Sequence, residues 1–266
     1  MMAQNEIGLT AFGGYIPRLR LQRKSITAAN AWIAPNLVSK GRGERSMGNW
    51  DEDSVTMAVE AARDLLGRSD DRSHVDALFF GSTTMPFADR LNAGIISAAL
   101  TLDRDVQAVD IASTQRAGTT SLLQGLGAVA AGSAKQALVC AADRRKTRAA
   151  CAQELEFGDG AAALSVGRDN IIARYLGSHT QTVDFVDHFR GSGEEFDYNW
   201  EERWIRDEGY STIVPDTVRA LLQKTSVNPP EITHFVMPCV FPKLGQKLAK
   251  ACGLEQAKIA DTLSAV

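Results

Sequence analysis

The sequence predicts an α/β protein whose buried strands pair in parallel beneath helices on both faces. Short apolar runs alternate with stretches of helical period through most of the chain. The runs are apolar throughout instead of alternating with polar residues, as strands covered on both faces must be. Of the 266 residues, 44% are hydrophobic, enough for a core of domain size.

The first strand is expected over residues 7–12, closed by Gly13-Gly14 and Pro17. Asp51-Glu52-Asp53-Ser54 opens a helix, because acidic residues in a first turn complement the helix dipole. Val55, Val59, Ala62 and Leu66 follow at helical spacing, and Gly67 stops it. Residues 75–81 (VDALFFG) read as a buried strand, 91–102 as a helix and 106–111 as a strand. Residues 117–131 form a small-residue helix stopped by Gly132, and strands follow at 137–142 (ALVCAA), 161–166 and 171–176. Residues 183–209 break the pattern, being dense in aromatic and charged side chains with little periodicity. Helix is expected again at 214–225, strand at 232–237, and helix at 244–252 with Gly253 as its cap. The turn near residues 167–170 divides two α/β halves, 1–168 and 169–266.

Charge and cysteine content exclude several classes. Twenty-nine basic against 32 acidic residues leave a formal charge of −3, so no global basic field draws the chain to nucleic acid or an anionic membrane. No apolar run is long enough to span a bilayer, and the first residues (MMAQNEIGLT) lack the pattern of a secretory signal. Cys140, Cys151, Cys239 and Cys252 are too scattered for a disulfide framework, and no CxxC or HxxxH spacing suggests a metal site. The expectation is a soluble protein of the reducing cytoplasm, without a resident cofactor.

Several polar residues stand out. His188 beside Asp187 is the one histidine with an acidic sequence neighbour, which can raise its pKa or orient its ring. Around it lie Arg190, Tyr198, Trp200 and Trp204, costly to expose without purpose. They form either a substrate-orienting site or an interface with a second copy or a partner subunit. Residues 40–45 (KGRGER), with Arg42 and Arg45, and Arg144-Arg145-Lys146 offer guanidinium and ammonium groups that suit phosphate, or else simply solvated loops. Asp159, in the turn FGDGAA (157–162), is expected to accept hydrogen bonds from backbone amides.

That turn precedes a strand, Gly81-Ser82-Thr83-Thr84 follows one, and residues 109–119 (VDIASTQRAGT) run from a strand into a small-residue helix. Together with the helix at 51–62, these segments resemble the thiolase superfamily. More narrowly they resemble its ketoacyl synthase III and hydroxymethylglutaryl-CoA synthase branch, over essentially the whole chain. The resemblance implies two similar α/β halves in an αβαβα arrangement and a coenzyme A thioester as substrate. It also implies a homodimer, expected through the strand at 137–142, and brings to mind members bound to a zinc-ribbon/OB-fold partner protein.

The family chemistry uses a cysteine at a helix N-terminus, a histidine and a further polar group. Alignment of QRAGT with the family's nucleophile elbow puts Gln115 in the cysteine's place, and Thr83 where a glutamate belongs. Met237-Pro238-Cys239 stands where the histidine follows its strand. An amide cannot form a thioester, so acyl-enzyme chemistry through Gln115 is closed. Gln115 either donates a hydrogen bond to a thioester carbonyl or enolate, or lines a pocket that only binds or packs. Cys239 is either a replacement nucleophile or a small buried hydrophobe. The expectation is carbon–carbon bond formation or cleavage without a cysteine acyl-enzyme, with His188, Tyr198 or Gln115 supplying acid–base and enolate-stabilising groups. The rival is a non-catalytic scaffold for a competent partner. Relative to the family the second half reads as incomplete, the sequence ending at residues 261–266 (DTLSAV).

Overall fold

A computed structural model describes residues 6–68, 71–239, 241 and 243–260. The expected strands of the first part assemble into one six-stranded sheet within a compact unit that runs to Arg145 and resumes at Ala149–Tyr175. Its elements are β1 (Gly8–Tyr15), β2 (Leu19–Gln22), α1 (Arg23–Ala29), β3 (Glu44–Met47), α2 (Ser54–Leu66), β4 (Ala77–Gly81) and α3 (Asn92–Ala99). β5 (Gln107–Ile111), α4 (Ala117–Ala131), β6 (Ala137–Asp143), α5 (Gln153–Glu156), β7 (Gly160–Gly167) and β8 (Ala173–Arg174) follow. The order across the sheet is β5-β4-β6-β7-β1-β8.

Strand alternation sends neighbouring side chains to opposite faces, and each face meets its own helices. Leu78, Phe80, Leu138 and Cys140 pack with α2 and α3, whereas Ala77, Phe79, Ala137 and Val139 pack with α4. That explains why these strands are apolar at every position. Within this sheet the expectation of parallel pairing holds for β5, β4 and β6 only. β7 runs antiparallel to β6 because Asp143 and Gly160 are register partners. The chain returns from the end where β6 stopped, and no crossover carries it back to the other end. The strand expected at 171–176 shrinks to β8, hydrogen-bonded to β1 in this same sheet.

The helix expected from Asp51 begins at Ser54 instead. Asp53 is its N-cap, accepting from Thr56 N at 2.8 Å while the Thr56 hydroxyl accepts from Asp53 N. The acidic run therefore precedes the helix. Gly67, at φ +64°, closes it, and Gly132, at φ +77°, closes α4 in the left-handed region, as a residue without Cβ can.

β6 was expected to carry a dimer contact. It lies instead in the sheet interior, hydrogen-bonded to β4 on one side and β7 on the other, so it has no free edge to offer.

A second compact unit takes Lys146–Arg148 and the chain from Leu176 onward. It contains β9 (His188–Phe189), β10 (Tyr198–Asn199), α6 (Glu202–Trp204), α7 (Ser211–Thr225), β11 (His234–Phe235), α8 (Leu244–Ala251) and β12 (Lys258–Ile259). A π-helical turn, Ile205–Tyr210, joins α6 to α7. β9 pairs antiparallel with β10, and β11 parallel with β12. The strand expected at 232–237 is thus only two residues long, and His234 lies within it. A small core of Ala249, Leu254 and Ala257 with Val218 and Leu222 holds α7 against α8. No helix among the described residues is long and apolar enough to cross a membrane. Residues 261–266 lie outside the described residues.

α4 lies close against the sheet at Gly81, where an added Cβ would stand 2.6 Å from the Ala117 carbonyl and 2.7 Å from the Ser121 hydroxyl. Backbone cannot yield as a flexible side chain would. Gly81→Ala is expected to cost about 1–3 kcal/mol by overpacking, read as a lower urea midpoint at unchanged slope.

Candidate functional site

The carboxyl ends of β4 and β6, the start of β7 and the first turn of α4 surround a cleft of about 770 Å³. Ligands in open α/β sheets bind at such strand ends. Gly81, Gly118, Ala141, Ala142, Gly158, Gly160, Ala161 and Ala162 give small, close walls, while Tyr15, Asp64, Gln115 and Asp143 give the polar groups. Gln115 lies in the turn just ahead of α4, where the first N–H groups of a helix present positive potential. The tight entry into that helix sets Ser113 at φ +60°.

Asp143, at the end of β6, organises the neighbouring turn. Its Oδ1 accepts from Thr83 N at 2.7 Å, Thr83 Oγ1 at 2.9 Å, Thr84 Oγ1 at 2.9 Å and Ser82 Oγ at 3.1 Å. Thr84 Oγ1 in turn accepts from Arg144 N at 2.9 Å. Thr83, a candidate for substrate contact, thus has both its amide and its hydroxyl committed to Asp143. The sequence reading missed Asp143; its signal was a carboxylate closing the apolar run ALVCAA. It also missed Tyr15, whose hydroxyl donates to Glu52 and whose pKa is pushed up to about 12, mainly by that bond.

Asp159 behaves as expected, accepting from Gly48 N at 2.7 Å, while its backbone carbonyl accepts from Ser46 Oγ. Burial raises its pKa, opposed by the Gly48 N–H and by Arg45 and Arg144. The basic residues considered for phosphate divide. Arg144 donates to the Glu52 carbonyl and lies 3.9 Å from Asp159, so it clamps the fold. Arg145 covers the Phe157 ring at 4.8 Å, and Lys146 pairs with Glu195 at 2.9 Å. Arg45 donates to the Glu154 carbonyl at 2.8 Å. Arg42 is exposed on its loop and makes no side-chain hydrogen bond or ion pair among the described residues.

The second unit brings its own candidates together only in part. His188 Nδ1 is 3.3 Å from Asp187 Oδ2, so Asp187 orients the ring. Arg190 is spent on Asp197 at 3.2 Å, and Tyr198 is exposed next to it on β10. Cys239 follows β11, its sulfur accepting from Phe241 N at 3.4 Å. Burial raises the Cys239 pKa against that N–H, which keeps it a thiol at neutral pH and weakens it as a nucleophile. Tyr210, at the end of the π turn, meets the Phe241 ring edge-on at 5.9 Å. Its pKa is pushed up to about 12, first by burial and then by the charges of Cys239 and Asp187. No group of three or more His, Cys, Asp or Glu residues that could hold a metal occurs among the described residues.

The fold is that of thiolase-like condensing enzymes. A 3-oxoacyl-(acyl-carrier-protein) synthase III superposes with TM-score 0.78 at 18% identity, over 97% of this chain and 86% of its own. A Xanthomonas campestris OleA variant gives 0.84 at 18% identity, over 100% of this chain and 85% of its own. An HMG-CoA synthase complexed with CoA gives 0.80 at 20%, over 93% of this chain and 63% of its own. No protein-family model matches. Sequence carries the assignment further. The hydroxymethylglutaryl-CoA synthase of Methanocaldococcus jannaschii is 30% identical over 258 residues, covering 95% of this chain and 74% of that protein. The Methanopyrus kandleri enzyme of the same name is 27% identical over 270 residues, covering 99% and 75%. The chain belongs to the hydroxymethylglutaryl-CoA synthase family, within the thiolase-like branch that also holds ketoacyl synthase III.

The raised Asp159 pKa has a calculable sign. A carboxyl whose pKa rises on folding binds more protons folded than unfolded, so stability falls as pH climbs from its unfolded value near 3.8 through the folded one. Asp159→Asn removes that term while keeping an acceptor for Gly48. The difference in urea midpoint is expected to move in the variant's favour as pH rises above 3.8. A pH-independent difference would show that Asp159 does not titrate this way.

Proposed function

We propose that the chain acts on an acyl-CoA thioester in the cleft before α4 and makes or breaks a carbon–carbon bond without a cysteine acyl-enzyme. The observation that carries this reading is the Gln115 amide at the start of α4, on the wall of a cleft built from strand ends. Family membership supports the substrate class, as do structurally similar proteins solved in complex with CoA and with 3-hydroxy-3-methylglutaryl coenzyme A.

In the forward direction a base removes the proton α to the thioester carbonyl. The enolate then attacks a second carbonyl carbon, whose oxygen takes up a proton. The reverse is a retro-aldol cleavage. Gln115 donates to the thioester oxygen as negative charge builds on it, and the N-terminal dipole of α4 acts in the same sense. On the chemistry of the side chain alone, His188, whose ring Asp187 holds, is the proposed base. Arg42 suits a phosphate of the coenzyme, in a stretch (16–45) with seven basic residues against one acidic. We further propose a homodimer. Of the sheet's two edge strands, β5, paired among the described residues with β4 alone, is longer than β8, and it is the proposed partner edge.

A second reading has its own observation. Thr83 and Arg144 are committed to structural bonds, as a scaffold that has left catalysis would permit. Three measurements separate the two.

Acetyl-CoA titrated into the protein is expected to bind, with intact mass unchanged after incubation. Arg42→Glu should weaken binding by about tenfold. Absence of binding to any of a series of acyl-CoA esters favours the scaffold, and a mass increment mapped to Cys239 restores a covalent route. Where turnover is measured, His188→Ala should lower it by about 10²-fold or more, and unchanged turnover removes His188 from the mechanism. Sedimentation equilibrium at micromolar concentration should report twice 28.7 kDa, and a monomer there contradicts the dimer.

A further inference from the structure

Residues 183–209 hold nine carboxylates against three arginines, and six of the chain's Phe, Tyr and Trp side chains. Folding sorts these groups. The three arginines are neutralised within the segment: Arg190 on Asp197 at 3.2 Å, and Arg203 and Arg206 on Asp207 at 3.6 and 3.0 Å. Asp184, Glu194, Glu202 and Glu208 make no ion pair among the described residues. A strong local negative potential is left over.

The apolar part is displayed. Phe189 and Tyr198 are cross-strand partners in the β9–β10 hairpin, with ring centroids 5.3 Å apart, and Trp200 continues the row 6.1 Å from Tyr198. The three rings are 52, 54 and 48% exposed. They cannot readily fold away, because the hairpin is fixed from several directions. Arg190 and Asp197 close it, Asp197 being almost wholly buried, and Trp200 N donates to the Asp187 carbonyl at 2.8 Å. Lys146 reaches Glu195, and the Arg148 guanidinium covers the Phe196 ring at 5.9 Å. A rigid row of half-exposed rings within an acidic field is a pre-organised surface, and it loses little entropy when covered.

We propose that this face of the β9–β10 hairpin is a docking surface for a partner protein presenting an extended cationic segment. Charge complementarity selects the occupant. Arginine or lysine side chains stack on exposed ring faces within about 6 Å, and the unpaired carboxylates of the same segment attract them at longer range. A second copy of this chain fits less well. A two-fold contact is the same patch on both sides, which would set the acidic field against itself. A head-to-tail contact would leave an open surface to propagate.

The test uses the full chain and a fluorescein-labelled peptide alternating arginine and leucine, with a glutamate–leucine peptide of equal length as counterpart. Anisotropy is expected to show saturable binding of the cationic peptide alone, weakened by about tenfold between low and high salt. Tyr198→Ser and Trp200→Ser should each lower affinity about tenfold or more, as should the pair Glu194→Lys and Glu202→Lys, with far-UV circular dichroism unchanged. Equal binding of the acidic peptide, or no binding of either, overturns the proposal. So does affinity indifferent to the ring substitutions, which would mean a diffuse charge effect. A wild-type dimer that Trp200→Ser converts to monomer would assign the face to a second copy and equally overturn it.

Discussion

The close approach of α4 to the sheet is the constraint on which the first unit depends. Gly81 touches the backbone of Ala117, an added Cβ at Gly118 would meet Ala141 Cβ at 3.0 Å, and one at Gly125 would meet Val139 at 2.8 Å. Three glycines on two elements let the helix lie directly on β4 and β6. Its first turn is thereby delivered to the end of the sheet where the strands stop. The small walls of the cleft and the position of Gln115 both follow from that contact. A larger residue at any of these sites would lift α4 and move Gln115 at the helix entrance.

Carboxylates do for the loops what glycine does for the helix. Asp143 gathers the turn after β4, and Asp159 holds the chain at Gly48. Asp110 accepts from Asn92 N and Ala93 N at 2.7 Å, capping α3 from a neighbouring strand because Leu91 has no side chain able to do so. Asp76 takes the amides of Lys135 and Gln136. Each is an acceptor spent on backbone N–H groups that would otherwise be unsatisfied at the margin of the core. Asp143 is thus both a structural residue and a wall of the cleft.

Legibility followed the range of the forces involved. The strands at 75–81, 106–111 and 137–142 and the helix at 117–131 were readable because burial writes itself into consecutive residues. Gly67, Gly132 and Gly253 marked their stops by a local backbone requirement. The β2–β3 ladder was not legible, since the alternation of Leu19–Gln22 lasts only four residues, Glu44–Met47 has none, and a long excursion joins them. The antiparallel sense of β7 was hidden for another reason: a strand buried on both faces looks the same in either direction. Among site residues, Gln115 was visible through a motif, whereas the tie between Asp143 and Thr83 spans 60 positions and leaves no local trace. The same blindness affected Arg144, which reads as a free cation in sequence and is a clamp in space.

The chemistry proposed at position 115 follows from what a helix N-terminus gives to different side chains. To a thiol it gives a lower pKa, and hence a nucleophile. An amide has no proton to lose in the accessible range, so the same field cannot activate it for attack. What the field does supply is a favourable potential for negative charge arriving from elsewhere, on the cleft wall where Gln115 stands. The position therefore keeps chemical value only for a reaction that develops an oxyanion or enolate on the ligand. Carbon–carbon bond formation or cleavage needs that and no protein nucleophile, whereas acyl transfer to the protein, which also passes through an oxyanion, needs an attacking group that an amide cannot be. A binding scaffold would draw no advantage from the same arrangement beyond holding a neutral carbonyl. For that reason the location of Gln115, more than the loss of a thiol, favours catalysis over scaffolding.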